Sequence, residues 1–282
     1  SIESPAPNCD TWKRTILLRP DSDVIEIINE LDKRMERRPE GTFFGFPFNV
    51  PGGVWRVDTP WAMVQVEKDQ LPGANRNYYC VQRFCNLSND EYGIDWATDD
   101  APMAQFAPIL FTVAWNRDLT QWRDHITPDG TIYSWVCNNH WETNYKAGQD
   151  DALTLSYKIR PYVGKYDAAK SQRFAMGELL PHLVSRIVQF DNENVVVTRL
   201  KPARDVKDGA KTDSPYAQGL MLRLYNPTSK PQQVSLNFFA PQTDGKSYAA
   251  DVYLSNPWED RLEKLPSTLT LNPFDMVTLR IE

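Results

Sequence analysis

Short runs of alternating apolar and polar residues, separated by turn residues at close intervals, are the feature that most constrains how this chain can fold. Turns are indicated by Pro51-Gly52-Gly53, Leu71-Pro72-Gly73 and Pro128-Asp129-Gly130, among others. The chain also has 21 prolines against 13 glycines, and proline suits strand ends and turns better than helix interiors. This rhythm is typical of an all-β sandwich or barrel.

Most of the sequence is predicted to form strands, but two segments have helical features. Residues 23–35 are ambiguous, because Ile27 and Leu31 fit a helical stripe as well as a strand, and periodicity alone slightly favours a helix. A second helix is predicted to begin near Asp167 and to stop before Pro181. The predicted strands cover residues 11–18, 43–48, 55–57, 61–66, 78–84, 93–98, 106–115, 132–136, 153–160, 220–225, 233–239, 248–254, 268–271 and 276–281.

The length of 282 residues suggests two domains. Residues 201–214 are polar and nearly free of large apolar side chains, which is typical of a linker or long loop. We therefore predict a larger β domain over residues 1–205 and a small β-sandwich over residues 213–282.

Charge and hydropathy exclude two classes of partner. The net charge is −6, and an acidic chain is poorly suited to the phosphate backbone of nucleic acids. Apolar runs are too short to cross a bilayer as a helix, so neither a nucleic-acid partner nor a membrane span is predicted. A mature secreted protein and a piece cut from a longer one would both lack a leader at Ser1, and we favour a secreted or periplasmic location over a cytoplasmic one.

Cysteine and histidine usage argues against a metal site within this chain. The four cysteines form no Cys-x-x-Cys motif, and we predict free thiols rather than a disulfide frame. Cys80 and Cys85 lie five residues apart on one predicted strand and face opposite sides of it. The chain has only three histidines, and the His-x-Glu at His140 lacks the cysteine half of a zinc deaminase motif.

One polar and aromatic stretch is a candidate carbohydrate site. Amides pair with sugar hydroxyls as both donors and acceptors, and aromatic rings stack on the C–H faces of sugars. The alternative is a surface loop whose asparagines cap turns and whose tryptophan plugs the edge of the core. The candidate contact residues are Asn138, Asn139, His140, Trp141, Asn144, Tyr145 and Lys146.

Two further segments offer carboxylates near turns, and glycoside hydrolysis needs two carboxylates across the scissile bond. One is residues 67–70, which contains Asp69 and Gln70 and precedes Leu71-Pro72-Gly73. The other is residues 95–100. Solvated turn acids are the more common explanation of such pairs in an acidic protein.

Several strings in order along the chain resemble one family. Taken together they are similar to the C-terminal β region of glycoside hydrolase family 38, the α-mannosidase family. The resemblance covers the chain from about Val24 to its last residues, and the order of the strings is more specific than any single string. The strings are residues 46–51, 67–73, 86–93, 96–102, 138–145, 157–161, 222–227 and 273–280.

The resemblance implies that the chemistry of this family lies in another part of the polypeptide. The family's zinc ion and aspartate nucleophile belong to an upstream α/β catalytic domain, and its His-x-Asp metal motif does not occur here. The resemblance therefore implies no catalytic residue, metal ligand or cofactor in this chain, with zinc expected in the absent catalytic domain. It also implies a galactose-mutarotase-like supersandwich, complete or partial, then a small immunoglobulin-like β-sandwich, with a strand over residues 23–35.

Three hypotheses about function follow. The first is an accessory module that scaffolds the catalytic domain of the same parent polypeptide and contributes to the rim of a mannoside-binding site. That rim would use residues 138–146, with Asp69 and Gln70, and a module separated from its partner should expose an apolar face. The second is a stand-alone carbohydrate-binding module that stacks sugars on Trp135, Trp141 and Tyr145. The third is an independent glycosidase or a mutarotase-like enzyme that uses His140 and Glu142.

Overall fold

The computed structural model describes residues 1–110, 122–139, 148–177, 188–203, 219–240, 248–249, 251–265 and 268–282. The chain divides into two compact units, Ser1–Tyr166 and Asp167–Glu282. Both units are built from antiparallel strands, and the predicted all-β fold is confirmed. No helix in the described ranges is long and apolar enough to cross a membrane.

The described part of the first unit is a sandwich of two antiparallel sheets of unequal size. Its strands are β1 (Ile2–Glu3), β2 (Cys9–Leu18), β3 (Ile25–Lys33), β4 (Gly41–Pro47), β5 (Val54–Thr59), β6 (Ala62–Gln65), β7 (Tyr79–Cys80), β8 (Phe84–Ser88), β9 (Tyr92–Thr98), β10 (Met103–Gln105), β11 (Thr131–Asn138) and β12 (Asp151–Val163). The larger sheet has the order β1-β2-β3-β12-β9-β8-β5-β6, and the smaller has the order β4-β11-β10-β7.

Aromatic side chains fill the space between these two sheets. Phe46 of β4 lies 5.6 Å from Trp96 of β9 and 4.8 Å from Tyr157 of β12, measured between ring centroids. Trp55 of β5 packs at 4.8 Å against Phe106. Large rings remove more apolar surface from water than any other side chains, so this layer is an important part of the core of the first unit.

Residues 25–33 form strand β3, so the helix favoured by periodicity is wrong and the strand implied by the family resemblance is correct. The strand lies between β2 and β12, which pair with it on both sides. This pairing with distant segments satisfies the backbone and overrides the weak local helical pattern.

Two other predicted strands are shorter than expected. Residues 78–84 contain only the two-residue β7 and the first residue of β8. Residues 106–110 join no strand, and residues 111–115 lie outside the described ranges. Phe106 is nevertheless buried in the core, so its apolar character reflects packing from a loop rather than membership of a strand.

The second unit begins with helix α1 (Ala168–Met176). The side chain of Asp167 accepts a hydrogen bond from the backbone N–H of Lys170 at 3.0 Å, which confirms the predicted start of this helix. Gly177 follows the helix with φ of 74°, a conformation that glycine adopts without strain. The predicted stop at Pro181 lies outside the described residues.

Nine strands complete the described part of the second unit. They are β13 (Val188–Phe190), β14 (Val196–Pro202), β15 (Leu220–Tyr225), β16 (Gln232–Ala240), β17 (Tyr248–Ala249), β18 (Val252–Ser255), β19 (Arg261–Lys264), β20 (Thr268–Leu271) and β21 (Met276–Ile281). One sheet has the order β14-β15-β21-β18-β19, and in the other β16 pairs with β13, β17 and β20. Their core is aliphatic, with Leu222, Leu224, Leu271 and Leu279 fully buried.

The division between the units lies earlier than the sequence suggested. The first domain was expected to reach residue 205, whereas α1, β13 and β14 belong to the second unit. Strand β14 pairs with β15 of the second unit. A polar segment indicates a loop, but it does not reveal which strands pair across that loop. The predicted linker over 201–214 lies mostly outside the described residues, because only its first three residues are described and two of them end β14.

Candidate functional site

The turn that follows β6 is shaped by the two residues that the sequence singled out there. The Asp69 carboxylate accepts a hydrogen bond from the backbone N–H of Gln65 at 2.7 Å. The Gln70 side-chain oxygen accepts one from the backbone N–H of Glu67, also at 2.7 Å. Glu67 has φ of 72°, in the left-handed region that non-glycine residues rarely adopt. Asp69 and Gln70 therefore stabilise the turn that contains Glu67 in this backbone conformation.

Glu67 is the centre of a group of charged side chains. Arg76 donates a hydrogen bond from Nη1 to Glu67 Oε2 at 2.8 Å, and His125 Nδ1 contacts the same oxygen. The Glu67 side chain is only 17% exposed, whereas that of His125 is 74% exposed. A mostly buried carboxylate thus holds one nitrogen of an imidazole whose remainder faces solvent.

Three buried polar atoms lie in this neighbourhood without a hydrogen-bond partner among the described residues: Glu67 Oε1, Arg76 Nε and the Tyr79 hydroxyl. Burial raises the pKa of Tyr79 to about 12, with the charge of Glu67 acting in the same direction, so the phenol is protonated at neutral pH. A buried polar atom without a partner costs about 1–3 kcal/mol. A water molecule or a ligand hydroxyl would relieve that cost.

A second loop is fastened to this turn by backbone and side-chain hydrogen bonds. The Arg76 N–H donates to the carbonyl of Arg123 at 2.7 Å, and the Arg123 N–H donates to Asn77 Oδ1 at 3.0 Å. Trp122 donates from Nε1 to the Gly73 carbonyl at 3.2 Å while its side chain stays partly exposed. We call Glu67, Arg76, Tyr79, Trp122 and His125 the Glu67 cluster.

Sequence reasoning found one part of this cluster and missed the rest. The acidic turn with Asp69 and Gln70 was selected because it precedes a Pro-Gly turn. Trp122 and His125 lie far away in the sequence, and nothing near them indicates that they meet Glu67. Their contact depends on the pairing of two loops, which single-sequence patterns do not encode.

Most of the polar and aromatic stretch lies outside the described residues, including His140, Trp141, Asn144, Tyr145 and Lys146. Asn138 ends β11 and is exposed. Asn139 is buried, and its Nδ2 donates to the carbonyls of Glu36 and Arg38 at 2.8 and 2.9 Å. Its Oδ1 accepts from the backbone N–H of Glu40. The Asn139 side chain is therefore committed to the connection between β3 and β4.

Trp135, which the carbohydrate-module hypothesis used as a stacking ring, is packed inside the protein. Its ring stacks on Phe43 at 5.4 Å with an interplanar angle of 15°, and Tyr78 meets it edge-on at 5.9 Å. Its Nε1 donates to the Cys137 carbonyl at 2.9 Å. These contacts commit the ring to the core rather than to a sugar.

The carboxylates of residues 95–100 do not form a facing pair. Asp95 is fully buried, accepts a hydrogen bond from Asn86 Nδ2 at 2.8 Å and pairs with Arg160. Asp100 is exposed and accepts from the backbone N–H of Ser156 at 2.7 Å. Asp95 thus belongs to a polar network within the fold, in keeping with a structural role.

Within the described ranges, no three His, Cys, Asp or Glu side chains come together as a metal site would require. All four cysteines are free, and burial raises the pKa of Cys85 and Cys137, which makes both thiols unreactive at neutral pH.

Comparison with known proteins finds a family match for part of the chain and similar folds for nearly all of it. Residues 194–279 match the family of glycosyl hydrolases family 38 C-terminal beta sandwich domains. A solved structure described as an alpha-mannosidase from Enterococcus faecalis V583 aligns with a TM-score of 0.65 and 14% identity, over 96% of this chain and 29% of that one. Another, described as a glycosyl hydrolase family 38 protein from Enterococcus faecalis, aligns with a TM-score of 0.64 and 15% identity, over 95% and 29%. No curated protein matches the sequence.

Residues 194–279, within the second unit, are thus similar to the C-terminal β-sandwich domain of glycoside hydrolase family 38. The two solved structures share the fold of nearly the whole chain. The chain spans less than a third of the length of those two structures.

Proposed function

We propose that this chain is the C-terminal accessory part of an α-mannosidase-like glycoside hydrolase. In this proposal it docks onto the rest of its polypeptide, which performs the chemistry, and it lends residues to the edge of a mannoside-binding site. The observation that carries the proposal is an exposed apolar strip on the inner face of the larger sheet of the first unit.

This apolar strip follows from strand register. Leu18 of β2 pairs with Ile25 of β3, which in turn pairs with Ile159 of β12, so their side chains form one row. Side chains alternate along a strand, and Trp12 and Ile159 of the same face pack on the aromatic core. Leu18 is nevertheless 72% exposed, and Val163 at the end of β12 is 94% exposed.

The strip exists because the smaller sheet contacts only part of the larger one. Phe44 and Phe46 of β4 reach Tyr157 and Trp96, which belong to the central strands β12 and β9. Leu18 lies on β2, which is further out in the strand order. Exposed apolar residues of this kind on the face of a sheet indicate an interaction surface.

The occupant that we propose for this face is the remainder of a longer polypeptide. The two similar family 38 chains are more than three times as long as the part that aligns with this chain. Residues 138–146, Asp69 and Gln70 remain the proposed contribution to the sugar site, except for Asn139, whose side chain is used inside the fold. The zinc ion and the nucleophile would belong to the other part of the polypeptide.

Substitution Leu18→Lys in two contexts tests the docking proposal. In this chain alone we expect a change in the free energy of unfolding within about 0.5 kcal/mol, because the side chain is already exposed. In the longer polypeptide we expect a loss of about 2 kcal/mol or more, because the charge would be buried without a partner. Urea denaturation of both proteins measures the difference.

Leu262→Lys is the matched control, since Leu262 is also largely exposed but lies on β19 of the second unit. If Leu18→Lys leaves the free energy of unfolding unchanged in both contexts, the proposal is wrong. A separate assay addresses catalysis: the purified 282-residue chain should not hydrolyse an aryl α-mannoside, and enzyme-like turnover would refute the accessory role.

A further inference from the structure

We propose that Trp122 and His125 form a binding surface for a pyranose ring, with Glu67 as the residue that positions it. The inference extends the proposed function, from which it takes the choice of a mannoside as the first probe. It rests on three observations of the Glu67 cluster: a fixed exposed ring, an oriented imidazole and a local cost in stability.

Trp122 offers an aromatic face whose orientation is fixed. Its side chain is 46% exposed, and its Nε1 is held by the Gly73 carbonyl. Two hydrogen bonds between residues 76–77 and Arg123 keep the supporting loop in place. A ring held in this way loses little conformational freedom when a ligand stacks on it, which favours binding.

His125 follows Trp122 by three residues on the same loop and offers a hydrogen-bonding atom. The contact between Nδ1 and Glu67 assigns the Nδ1 proton to that contact in the neutral imidazole. The second nitrogen, Nε2, is then an acceptor for a hydroxyl group, and the imidazole is largely exposed. Arg76 holds Glu67 in turn, so the orientation of the imidazole does not depend on solvent.

The local structure around Glu67 lowers the stability of the fold. Glu67 has a left-handed backbone conformation, and Glu67 Oε1, Arg76 Nε and the Tyr79 hydroxyl have no partner among the described residues. Strain and unsatisfied polar groups of this kind concentrate at functional sites. The hydroxyl-rich surface of a sugar, with its bound water, is suited to such unpaired donors and acceptors.

Charge favours a neutral ligand over a phosphate or an acidic peptide. The two loop segments 65–78 and 122–125 carry three acidic and three basic side chains, which balance. Glu67 and Arg76 already neutralise each other. A neutral ligand with an apolar face and several hydroxyl groups matches this surface, and a pyranoside has that chemistry. The charged residues counted here are Glu67, Lys68, Asp69, Arg76, Arg123 and Asp124.

The site is tested by titrating the 282-residue chain with methyl α-mannopyranoside. NMR signals of the tryptophan indoles and histidine imidazoles report binding. We expect saturable shifts of the Trp122 and His125 signals, with methyl α-galactopyranoside and glycerol as comparison ligands. Trp122→Ala should raise the dissociation constant about tenfold or more. Trp258→Ala is the matched control, because Trp258 is 76% exposed in the second unit and its loss should leave sugar binding as in the wild type.

Glu67→Gln tests the positioning role, because a glutamine at this position keeps the shape of the side chain but not its charge. We expect weaker sugar binding together with changed nitrogen chemical shifts of the His125 imidazole at a fixed pH, because Glu67 contacts Nδ1. A purely structural role of Glu67 would leave these imidazole shifts in place. Unchanged circular dichroism and thermal unfolding show that the variants are folded.

The inference is refuted if no sugar shifts these signals, if Trp122→Ala and Trp258→Ala bind alike, or if glycerol gives the same response. Neither the docking assay with Leu18→Lys nor the activity assay affects this outcome. Failure of the sugar site and failure of the accessory role are therefore distinguishable.

Discussion

The cores of the two units are built from different types of side chain. The first unit packs aromatic rings from both sheets, among them Phe46, Trp96 and Tyr157. The main buried cluster of the second unit consists of valine, leucine and isoleucine among its described members. Of the tryptophans in the described ranges, all except Trp258 lie in the first unit. The stability of the first unit therefore depends on a few large aromatic side chains, and that of the second on a larger number of aliphatic ones.

The units also differ in how they use buried polar groups. In the first unit Asn86, Asp95 and Arg160 form a connected network on the larger sheet. In the second unit the buried Asn226 side chain bonds to backbone instead, donating to the carbonyls of Lys230, Leu271 and Asn272, so it joins the turn after β15 to the end of β20. The first unit combines an exposed apolar strip, a polar network and the Glu67 cluster, which fits a unit that makes contacts beyond itself.

Removal of one ring should show the largest difference between the cores. Trp96→Ala is expected to lower the free energy of unfolding of the first unit by about 3–5 kcal/mol, because it leaves a large cavity beside Phe46 and Tyr157. Leu222→Ala is the control in the second unit, where a loss of about 2–5 kcal/mol is expected. Urea denaturation followed by circular dichroism measures both. A cost below about 1 kcal/mol for Trp96→Ala would contradict the dependence on single rings.

A buried and an exposed ion pair provide the next comparison. Asp95→Ala removes the fully buried carboxylate that pairs with the mostly buried Arg160, and we expect a loss of about 3 kcal/mol or more. Asp251→Ala in the second unit breaks an exposed pair with Lys264 and should cost less than about 1 kcal/mol. Equal effects of the two substitutions in chemical denaturation would show that the Asp95 network is not structurally important.

Alkaline pH should weaken the first unit by a smaller amount. Burial raises the pKa of Tyr157 to about 12, whereas a tyrosine in an unfolded chain ionises near pH 10. The unfolded state therefore loses its proton first, and stability falls as the pH rises from about 10 to about 12. The expected contribution of Tyr157 is on the order of 2–3 kcal/mol.

Tyr157→Phe separates this effect from others, because it removes the ionisable hydroxyl and keeps the ring. We expect this variant to lose less stability between pH 10 and 12 than the wild type, at the cost of the hydrogen bond to Ser134. Thermal unfolding across this pH range measures the slope. An identical slope in the two proteins would exclude Tyr157 as its source.

Particular residues show how far the sequence could predict the site. Asp69 and Gln70 were found because turn chemistry is local, and the structure gives both side chains hydrogen bonds within that turn. Asn139 was selected for its amide, yet the amide is used by the backbone between β3 and β4. His125 was not selected at all, because its partner Glu67 is brought to it by the fold.

Local patterns in the sequence determined the all-β class, the position of most strands and the start of α1, because side-chain alternation, turn residues and caps act over a few residues. Tertiary structure alone decided that residues 25–33 pair as a strand, that β14 joins the second unit and that Glu67 meets His125. Each of these depends on contacts between segments far apart in the chain, whose free energy is gained only when the whole sheet assembles.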